Sequence, residues 1–208
     1  TTLDGNSAPA YTRNNDHGIH VDDGAQNTTI TDNVIGNAGT RGGISIDGAL
    51  TAGTVIARNR IGISLNGTAI PNVGGGVVLE GRSVRTTVGP DNIISNQVNA
   101  ISVGPDVAVD QNRITRNSIF GNTGLGIEVM PAGINPNGFY PANGPNQATQ
   151  FPTLSSATTT SVAGRACNNC TVEVFKSDGG ANQFGSGQTY IGTATASAAG
   201  LFTATVSG

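Results

Sequence analysis

Three acidic residues recur at the same point of a short repeating pattern. Asp22, Asp47 and Glu80 each follow a cluster of alternating apolar residues. If these clusters are strands of successive coils, the carboxylates form an outward column with about 4.8 Å between neighbours. Such carboxylates repel one another unless water or a cation lies between them, and Ca²⁺ prefers oxygen ligands of this type. The column therefore predicts a solvated acidic edge or, as the alternative, a weak Ca²⁺ site.

Two cysteines, Cys167 and Cys170, are separated by two asparagines. A zinc site normally needs four ligands, and the two histidines, His17 and His20, lie far along the chain and are expected to be surface or corner residues. A redox motif of this spacing belongs in a βαβ setting, which the sequence lacks. We therefore expect a local disulfide formed in an oxidising compartment, with free thiols as the main alternative.

The composition indicates an all-β protein with many turns. Charged residues make up 11% of the chain, against about 25% in an ordinary globular domain. Val and Ile recur in short alternating clusters, which is typical of strands. The net charge of −3 gives no reason to expect nucleic acid as a partner, and no apolar run is long enough for a membrane span. The start of the chain lacks signal-peptide features, so we expect a segment of a larger protein.

A repeat of about 25 residues organises the first two thirds of the chain. Its units share a small residue followed by apolar, variable and apolar positions, and they cover 18–21, 43–46, 76–79, 100–103 and 126–129. Two further strand-like clusters lie within each unit. Three short strands per coil and about five coils predict a parallel β-helix, in which inward Ile and Val columns build a core that no single coil could bury.

Asparagines precede the third cluster of each coil: Asn33, Asn59, Asn92 and Asn112. Asparagine tolerates left-handed backbone geometry, so it can turn a corner. Stacked in register, the side-chain amides could also bond to one another as a ladder. We therefore expect a structural role for these four residues, not a ligand-binding one. The longest unit contains an excursion, 64–72, which should project from a corner as a loop.

The pattern changes after the repeat, which predicts two domains, 1–146 and 147–208. From Phe151 onward the strand-like segments are longer and more widely separated. About sixty residues of this kind favour a small antiparallel β-sandwich. Phe175, Tyr190 and Phe202 are the expected aromatic core of this second domain.

Residues 112–127 resemble the last coil of right-handed parallel β-helix repeats in large bacterial extracellular proteins. The linker of those proteins is matched by 144–146 and by Phe151-Pro152, and the immunoglobulin-like module that follows it is similar to 171–175 and 190–192. The resemblance covers nearly the whole chain. It implies an Ig-like second domain and a non-catalytic structural or adhesive module at the bacterial cell surface. The expected partners are further copies of the chain or surface glycans, with no cofactor other than Ca²⁺.

Parallel β-helices also include pectate lyases and polygalacturonases, so a polysaccharide-degrading enzyme is the alternative. The polygalacturonase family carries Asn-Thr-Asp, Asp-Asp, Gly-His-Gly and Arg-Ile-Lys motifs on successive coils. This chain offers only 16–18, 22–23 and 31–33, which are too close together and in the wrong order. We therefore expect no catalysis. Binding of glycans without catalysis would need an exposed aromatic pair, for which Tyr11, Phe120 and Tyr140 are the candidates.

Overall fold

A computed structural model gives the structure of residues 16–138, 144–179 and 185–207. The repeat forms a parallel β-solenoid of about four turns with three short strands per coil, which confirms the predicted fold class. Sheet A consists of β1 (Ile19–Val21), β4 (Ile44–Ile46), β7 (Val77–Leu79), β10 (Ile101–Val103) and β13 (Ile127–Val129). Sheet B consists of β2 (Thr29–Thr31), β5 (Val55–Ala57), β8 (Thr87–Val88) and β11 (Arg113–Ile114). Sheet C consists of β3 (Val34–Ile35), β6 (Arg60–Ile61), β9 (Ile93–Ser95) and β12 (Ser118–Phe120).

Inward Ile, Val and Leu side chains from all three sheets form one core. In β4 both Ile44 and Ile46 are fully buried, and Ile56 of sheet B and Ile61 of sheet C pack with them. Because strand neighbours are in register from coil to coil, each inward position becomes a continuous apolar column. The alternation of apolar residues in the sequence follows from this single buried face.

The small residue before each sheet A strand is required by the distance between coils. A Cβ atom added at Gly76 would lie 2.4 Å from the carbonyl oxygen of Ala100 on the next coil. The same holds at Gly18, where a Cβ atom would lie 2.4 Å from the carbonyl oxygen of Gly43. A residue with a Cβ atom would therefore clash with the backbone of the next coil at these two positions.

Left-handed backbone marks the corner between sheets B and C, but not at the predicted residues. The residues with positive φ are Asp32 (60°), Arg58 (56°), Asp91 (65°) and Arg116 (47°). Each of them directly precedes an asparagine, and those asparagines leave the corner in ordinary conformations. The left-handed residue is therefore the one before each predicted asparagine. The asparagine itself is held at the corner by the hydrogen bonds of its side chain.

The excursion 64–72 is a loop with an exposed tip at residues 65–69, as predicted, and its base is held against the solenoid. Ile63 and Ala69 form an antiparallel bridge, which makes the segment a short hairpin. Ile70 at its end is buried against Gly36, where a Cβ atom would lie 2.5 Å from the Ile70 side chain. Burying one isoleucine is worth about 1.5–3 kcal/mol, which anchors the end of the loop on the solenoid.

Small antiparallel sheets follow the solenoid. One contains β14 (Thr153–Ala157), β15 (Ser161–Arg165) and β18 (Leu201–Thr205), and the other contains β16 (Thr171–Ser177) and β17 (Gly187–Thr195). Their core contains Val162, Val172, Phe202 and Ala204. The predicted boundary after residue 146 falls inside a 3-10 turn, Pro145–Ala148.

Of the three expected core aromatics of the second domain, only Phe202 is buried. Phe175 and Tyr190 are half-buried and meet edge to face, with ring centroids 5.7 Å apart. Tyr190 contacts the last coil of the solenoid through Arg116. Tyr190 therefore belongs to the contact between the two parts of the chain, and Phe175 packs against it. No helix in the described part of the chain is long and apolar enough to cross a membrane.

Candidate functional site

The outward side of sheet A, here called the outer face, holds most of the residues with potential chemistry. Its central column contains His20, Ser45, Val78, Ser102 and Glu128 in register on five successive strands. Ser45 is fully buried and Glu128 is nearly so, although both point away from the apolar core. The column is therefore partly covered by neighbouring side chains and turns, and it is not a flat exposed sheet.

Asp22, Asp47 and Glu80 lie one position beyond the sheet A strands, as expected. The backbone N–H of Asp47 donates to the carbonyl oxygen of Val21 and that of Glu80 to the carbonyl oxygen of Ile46, both at 2.9 Å. The three residues are thus stacked on successive coils. Their side chains find different partners, because His20 lies between the first two and Ser45 bonds to the third.

His20 bridges the first two carboxylates of the column. Its Nδ1 atom lies 3.4 Å from Asp22 and its Nε2 atom lies 4.0 Å from Asp47. Ser45 donates a hydrogen bond of 3.1 Å to Glu80. Within the described residues, no group of three His, Cys, Asp or Glu side chains could hold a metal ion. Asp22 and Asp47 therefore lie beside His20, whereas Glu80 bonds to Ser45, and the three carboxylates do not point at one shared position.

The two histidines form a stacked pair at the start of the outer face. The rings of His17 and His20 lie 4.0 Å apart between centroids and are inclined by only 11°. The His17 side chain is 9% exposed and that of His20 is 31% exposed. The sequence treats both as ordinary surface or corner residues, whereas the structure places His17 in a nearly enclosed position. The sequence feature that could have revealed this pair is the spacing of three residues between the two histidines, at the start of β1.

A polar depression opens beside the middle of the outer face. It has a volume of about 350 Å³ and is lined by Thr40, Arg41, Gly74, Val78 and Glu80. Arg41 also pairs with Asp16, at 3.5 Å. A guanidinium, a carboxylate and a hydroxyl group supply both donors and acceptors, which suits a ligand rich in hydroxyl groups.

An amide ladder runs along the corner between sheets B and C. Asn33 Nδ2 donates to Asn59 Oδ1 and Asn59 Nδ2 donates to Asn92 Oδ1, each at 3.1 Å. Asn92 Nδ2 continues the series to Asn117 Oδ1 at 2.8 Å. The same oxygens also accept backbone N–H groups from the preceding coil, at Asn33 and at Asn59. The ladder therefore satisfies backbone and side-chain groups together.

Asn112 does not belong to this ladder, which corrects its predicted role. The reason is one of register: Arg113–Ile114 pairs with Thr87–Val88 in sheet B, so Asn112 stacks on Thr86 at an earlier corner. Its Oδ1 atom accepts the backbone N–H of Thr86 at 2.8 Å. Its own N–H donates to Asn146 Oδ1 at 2.7 Å. Asn117 takes the predicted place in the ladder.

A second series of amides lies at the corner between sheets C and A, and the sequence reasoning missed it. Asn72 Oδ1 accepts the N–H of Ala38 at 3.0 Å, and Gln97 Oε1 accepts the N–H of Asn72 at 3.2 Å. Asn122 Oδ1 accepts the N–H of Gln97 at 2.9 Å. These amides recur every 25 residues, at positions 72, 97 and 122. That constant spacing is the signal that could have revealed them.

The left-handed corner residues form an alternating series of charges, here called the charge ladder. Asp32, Arg58, Asp91 and Arg116 occupy equivalent positions on four successive coils, two residues before the strands of sheet C. The guanidinium of Arg58 donates two hydrogen bonds to the Asp32 carboxylate, at 2.9 and 2.7 Å. These bonds lower the pKa of Asp32 below its ordinary value of 3.8, and they raise the pKa of Arg58.

Acid titration should report this ion pair directly. Because the folded pKa of Asp32 is lowered, the contribution of the pair to stability is present above pH 3.8 and is lost as the pH falls through the folded pKa. We expect Arg58→Gln to return the pKa of the Asp32 carboxyl toward its ordinary value, measured by NMR titration. An unchanged titration of Asp32 in Arg58→Gln would contradict the pairing, and Arg82→Gln is the control that should leave it unchanged.

The hairpin β16–β17 covers one end of the last coil. Glu173 accepts the backbone N–H of Arg116 at 2.9 Å and also the hydroxyl of Thr115. Asp178 accepts the backbone N–H of Gly121 at 2.7 Å. The guanidinium carbon of Arg116 lies 4.7 Å from the centroid of the Tyr190 ring. Two carboxylates and one ring therefore meet backbone and side-chain groups at the end of the solenoid.

Cys167 and Cys170 are joined by a disulfide in the turn between β15 and β16, with Cα atoms 5.4 Å apart. Among the proposed aromatic ligand contacts, Phe120 lies half-buried on β12, while Tyr11 and Tyr140 lie outside the described residues.

The fold defines the class of the molecule as a parallel β-solenoid joined to small antiparallel sheets. No protein-family model, curated protein or solved structure matches the chain.

Proposed function

We propose that the chain is a non-catalytic structural or adhesive module of an extracellular bacterial cell-surface protein. The observation that carries the proposal is the outer face, where side chains from successive coils are held in fixed register on a rigid scaffold. The two amide series leave little freedom for one coil to shift against the next. The proposal takes the solenoid as a right-handed β-helix repeat and the antiparallel sheets that follow it as an Ig-like module. The disulfide is compatible with secretion.

Glycan binding is the second candidate, and the depression beside Arg41 and Glu80 favours it. Sugar hydroxyl groups act as both donors and acceptors, so a guanidinium opposite a carboxylate can hold two of them at once. The depression is polar and shallow, so the proposed ligand lies along the outer face and is not enclosed by it. A surface polysaccharide meets this description.

The test is binding of the full chain to a glycan array and to immobilised bacterial polysaccharides. We expect Arg41→Ala and Glu80→Ala each to weaken binding about tenfold, equivalent to about 1.4 kcal/mol, because each removes charge-assisted hydrogen bonds. Arg113→Ala is the matched control, since Arg113 is exposed on sheet B, away from the outer face. Equal binding by all four proteins would contradict a role for the depression.

The same samples test whether the chain is a catalyst. Bound oligosaccharides are incubated with the protein and analysed by mass spectrometry for shortened products. We expect the oligosaccharides to be recovered intact. Products that form with the parent chain and disappear with Glu80→Ala would overturn the non-catalytic proposal in favour of the polysaccharide-degrading alternative.

A further inference from the structure

Three segments of the chain carry the acceptor sequence of N-linked glycosylation, an asparagine two residues before a serine or threonine. They are Asn27-Thr28-Thr29, Asn66-Gly67-Thr68 and Asn169-Cys170-Thr171. The sequence alone does not distinguish among them, because such a spacing arises readily in a chain rich in asparagine and threonine. Their places in the fold do distinguish them, since a transferase has to enclose the acceptor segment and therefore needs an accessible loop.

Two of the three acceptor sequences are fixed in β-structure. Thr29 begins β2 and pairs with Val55 of the next coil. The backbone N–H of Asn27 donates to the carbonyl oxygen of Ala52 at 2.9 Å. Thr171 begins β16 directly after the disulfide. Neither segment can enter the cleft of a transferase without breaking the hydrogen bonds of its sheet.

The remaining acceptor sequence, 66–68, forms the tip of the hairpin at 64–72. Residues 65–69 are all exposed. The antiparallel bridge between Ile63 and Ala69 closes the base of the hairpin. The tip therefore projects into solvent from a base that is fixed on the solenoid, and it can enter a cleft while the coils stay intact.

The side chain of Asn66 has the geometry of an acceptor. Its Oδ1 atom accepts hydrogen bonds from the Thr68 hydroxyl at 2.9 Å, from the Thr68 N–H at 3.2 Å and from the Ser64 hydroxyl. No described residue accepts a hydrogen bond from its Nδ2 atom, so the nitrogen that receives a sugar is open to solvent. Donors on Oδ1 stabilise the charge that develops there when Nδ2 loses a proton. The threonine hydroxyl of the acceptor sequence is thus already bonded to the amide that it activates.

We propose that Asn66 is a site of N-linked glycosylation and that the chain carries a sugar at the tip of this hairpin. The co-substrate is a sugar activated at its anomeric carbon by a diphosphate, and the catalyst is a separate transferase. A bond forms between Asn66 Nδ2 and the anomeric carbon as the bond from that carbon to the diphosphate oxygen breaks. The diphosphate leaves with the electron pair, and the Nδ2 proton passes to a base of the transferase. The product places a bulky polar group at one corner of the solenoid, away from the core.

The test is peptide mapping by mass spectrometry of the full chain isolated from the cells that produce it. We expect the peptide that contains Asn66 to gain the mass of at least one sugar residue, and the peptides that contain Asn27 and Asn169 to gain none. An Asn66 peptide without added sugar would overturn the proposal. A gain of a single mass unit, the product of spontaneous deamidation at the Asn-Gly bond, would overturn it as well. Equal occupancy of all three asparagines would overturn the selection of the loop by its exposure.

Substitutions at Thr68, made in the same cells, test the role of its hydroxyl. Thr68→Val removes the hydroxyl and keeps the shape of the side chain, so we expect loss of the sugar from Asn66, whereas Thr68→Ser should retain it. Thr29→Val is the matched control in an acceptor sequence fixed in β2, and it should leave the sugar on Asn66 unchanged. Circular dichroism checks that each variant keeps the parent fold. Full occupancy of Asn66 in folded Thr68→Val would overturn the assignment.

Discussion

Replacing Ile56 by alanine is expected to lower the free energy of unfolding by about 2–5 kcal/mol, the range for truncating a buried isoleucine. Ile56 lies in β5 and is fully buried in the core of the solenoid. Its loss removes transfer free energy and leaves a cavity that neighbouring coils cannot close, because their spacing is fixed by backbone hydrogen bonds. Urea denaturation followed by circular dichroism measures the change.

The matched control is the residue next to it in the same strand. Val55 is 37% exposed on the outward face of sheet B. We expect Val55→Ala to change the free energy of unfolding by no more than about 0.5 kcal/mol. Ile56 and Val55 are similar in size, and they differ mainly in the face of the strand on which their side chains lie. Similar losses at both positions would contradict the inward orientation of Ile56.

Asn59→Ala should have the second large effect, a loss of about 3 kcal/mol, because several buried groups lose their partners at once. Asn59 is fully buried, and its Oδ1 atom accepts both the backbone N–H and the side-chain amide of Asn33. Its Nδ2 atom donates to the carbonyl oxygens of Ile30 and Ala57 and to Asn92 Oδ1. Alanine satisfies none of these groups, and the site has no access to water.

Asn33→Ala serves as the comparison, since Asn33 is the exposed end of the same ladder. Water can replace its hydrogen bonds, so we expect a loss below about 1 kcal/mol. Asn59→Asp tests the direction of the bonds. Its carboxylate keeps the acceptors but places an anion against Asn92 Oδ1, so at neutral pH it should cost at least as much as alanine. Equal effects of Asn33→Ala and Asn59→Ala in thermal or urea unfolding would show that the ladder is not a buried network.

The fold was predictable because the solenoid repeats one rule along the chain. A small residue followed by alternating apolar residues recurs in each unit, and each part of this pattern has its own cause in the structure. Gly76 is small because the carbonyl oxygen of Ala100 lies 2.4 Å from where its Cβ would be. The Ile and Val residues alternate because one face of each strand is buried. Such local causes leave a readable trace in the sequence.

The polar contacts were less predictable, because they depend on which strand a cluster joins. Arg113–Ile114 looks like a sheet C strand, yet it pairs in sheet B, and this shift misplaced Asn112 by one corner. The charge ladder has no apolar pattern to mark it, and Asp91 and Arg116 are recognised as neighbours only once the register is known. Glu173 lies 57 residues from its backbone partner Arg116, so its contact depends on how the second part of the chain docks.

The hairpin at 64–72 shows where this molecule can change its length. The excursion lies between β6 and β7, yet β7 still pairs in register with β4, at Ile44 with Val77 and at Ile46 with Leu79. Extra residues at a corner are thus absorbed without altering the pitch of the coils on either side. Foreign peptides could be inserted after Asn66, at an exposed turn, and displayed at a defined height on the rod. The loop can therefore change in length and sequence while the coils keep their spacing and register.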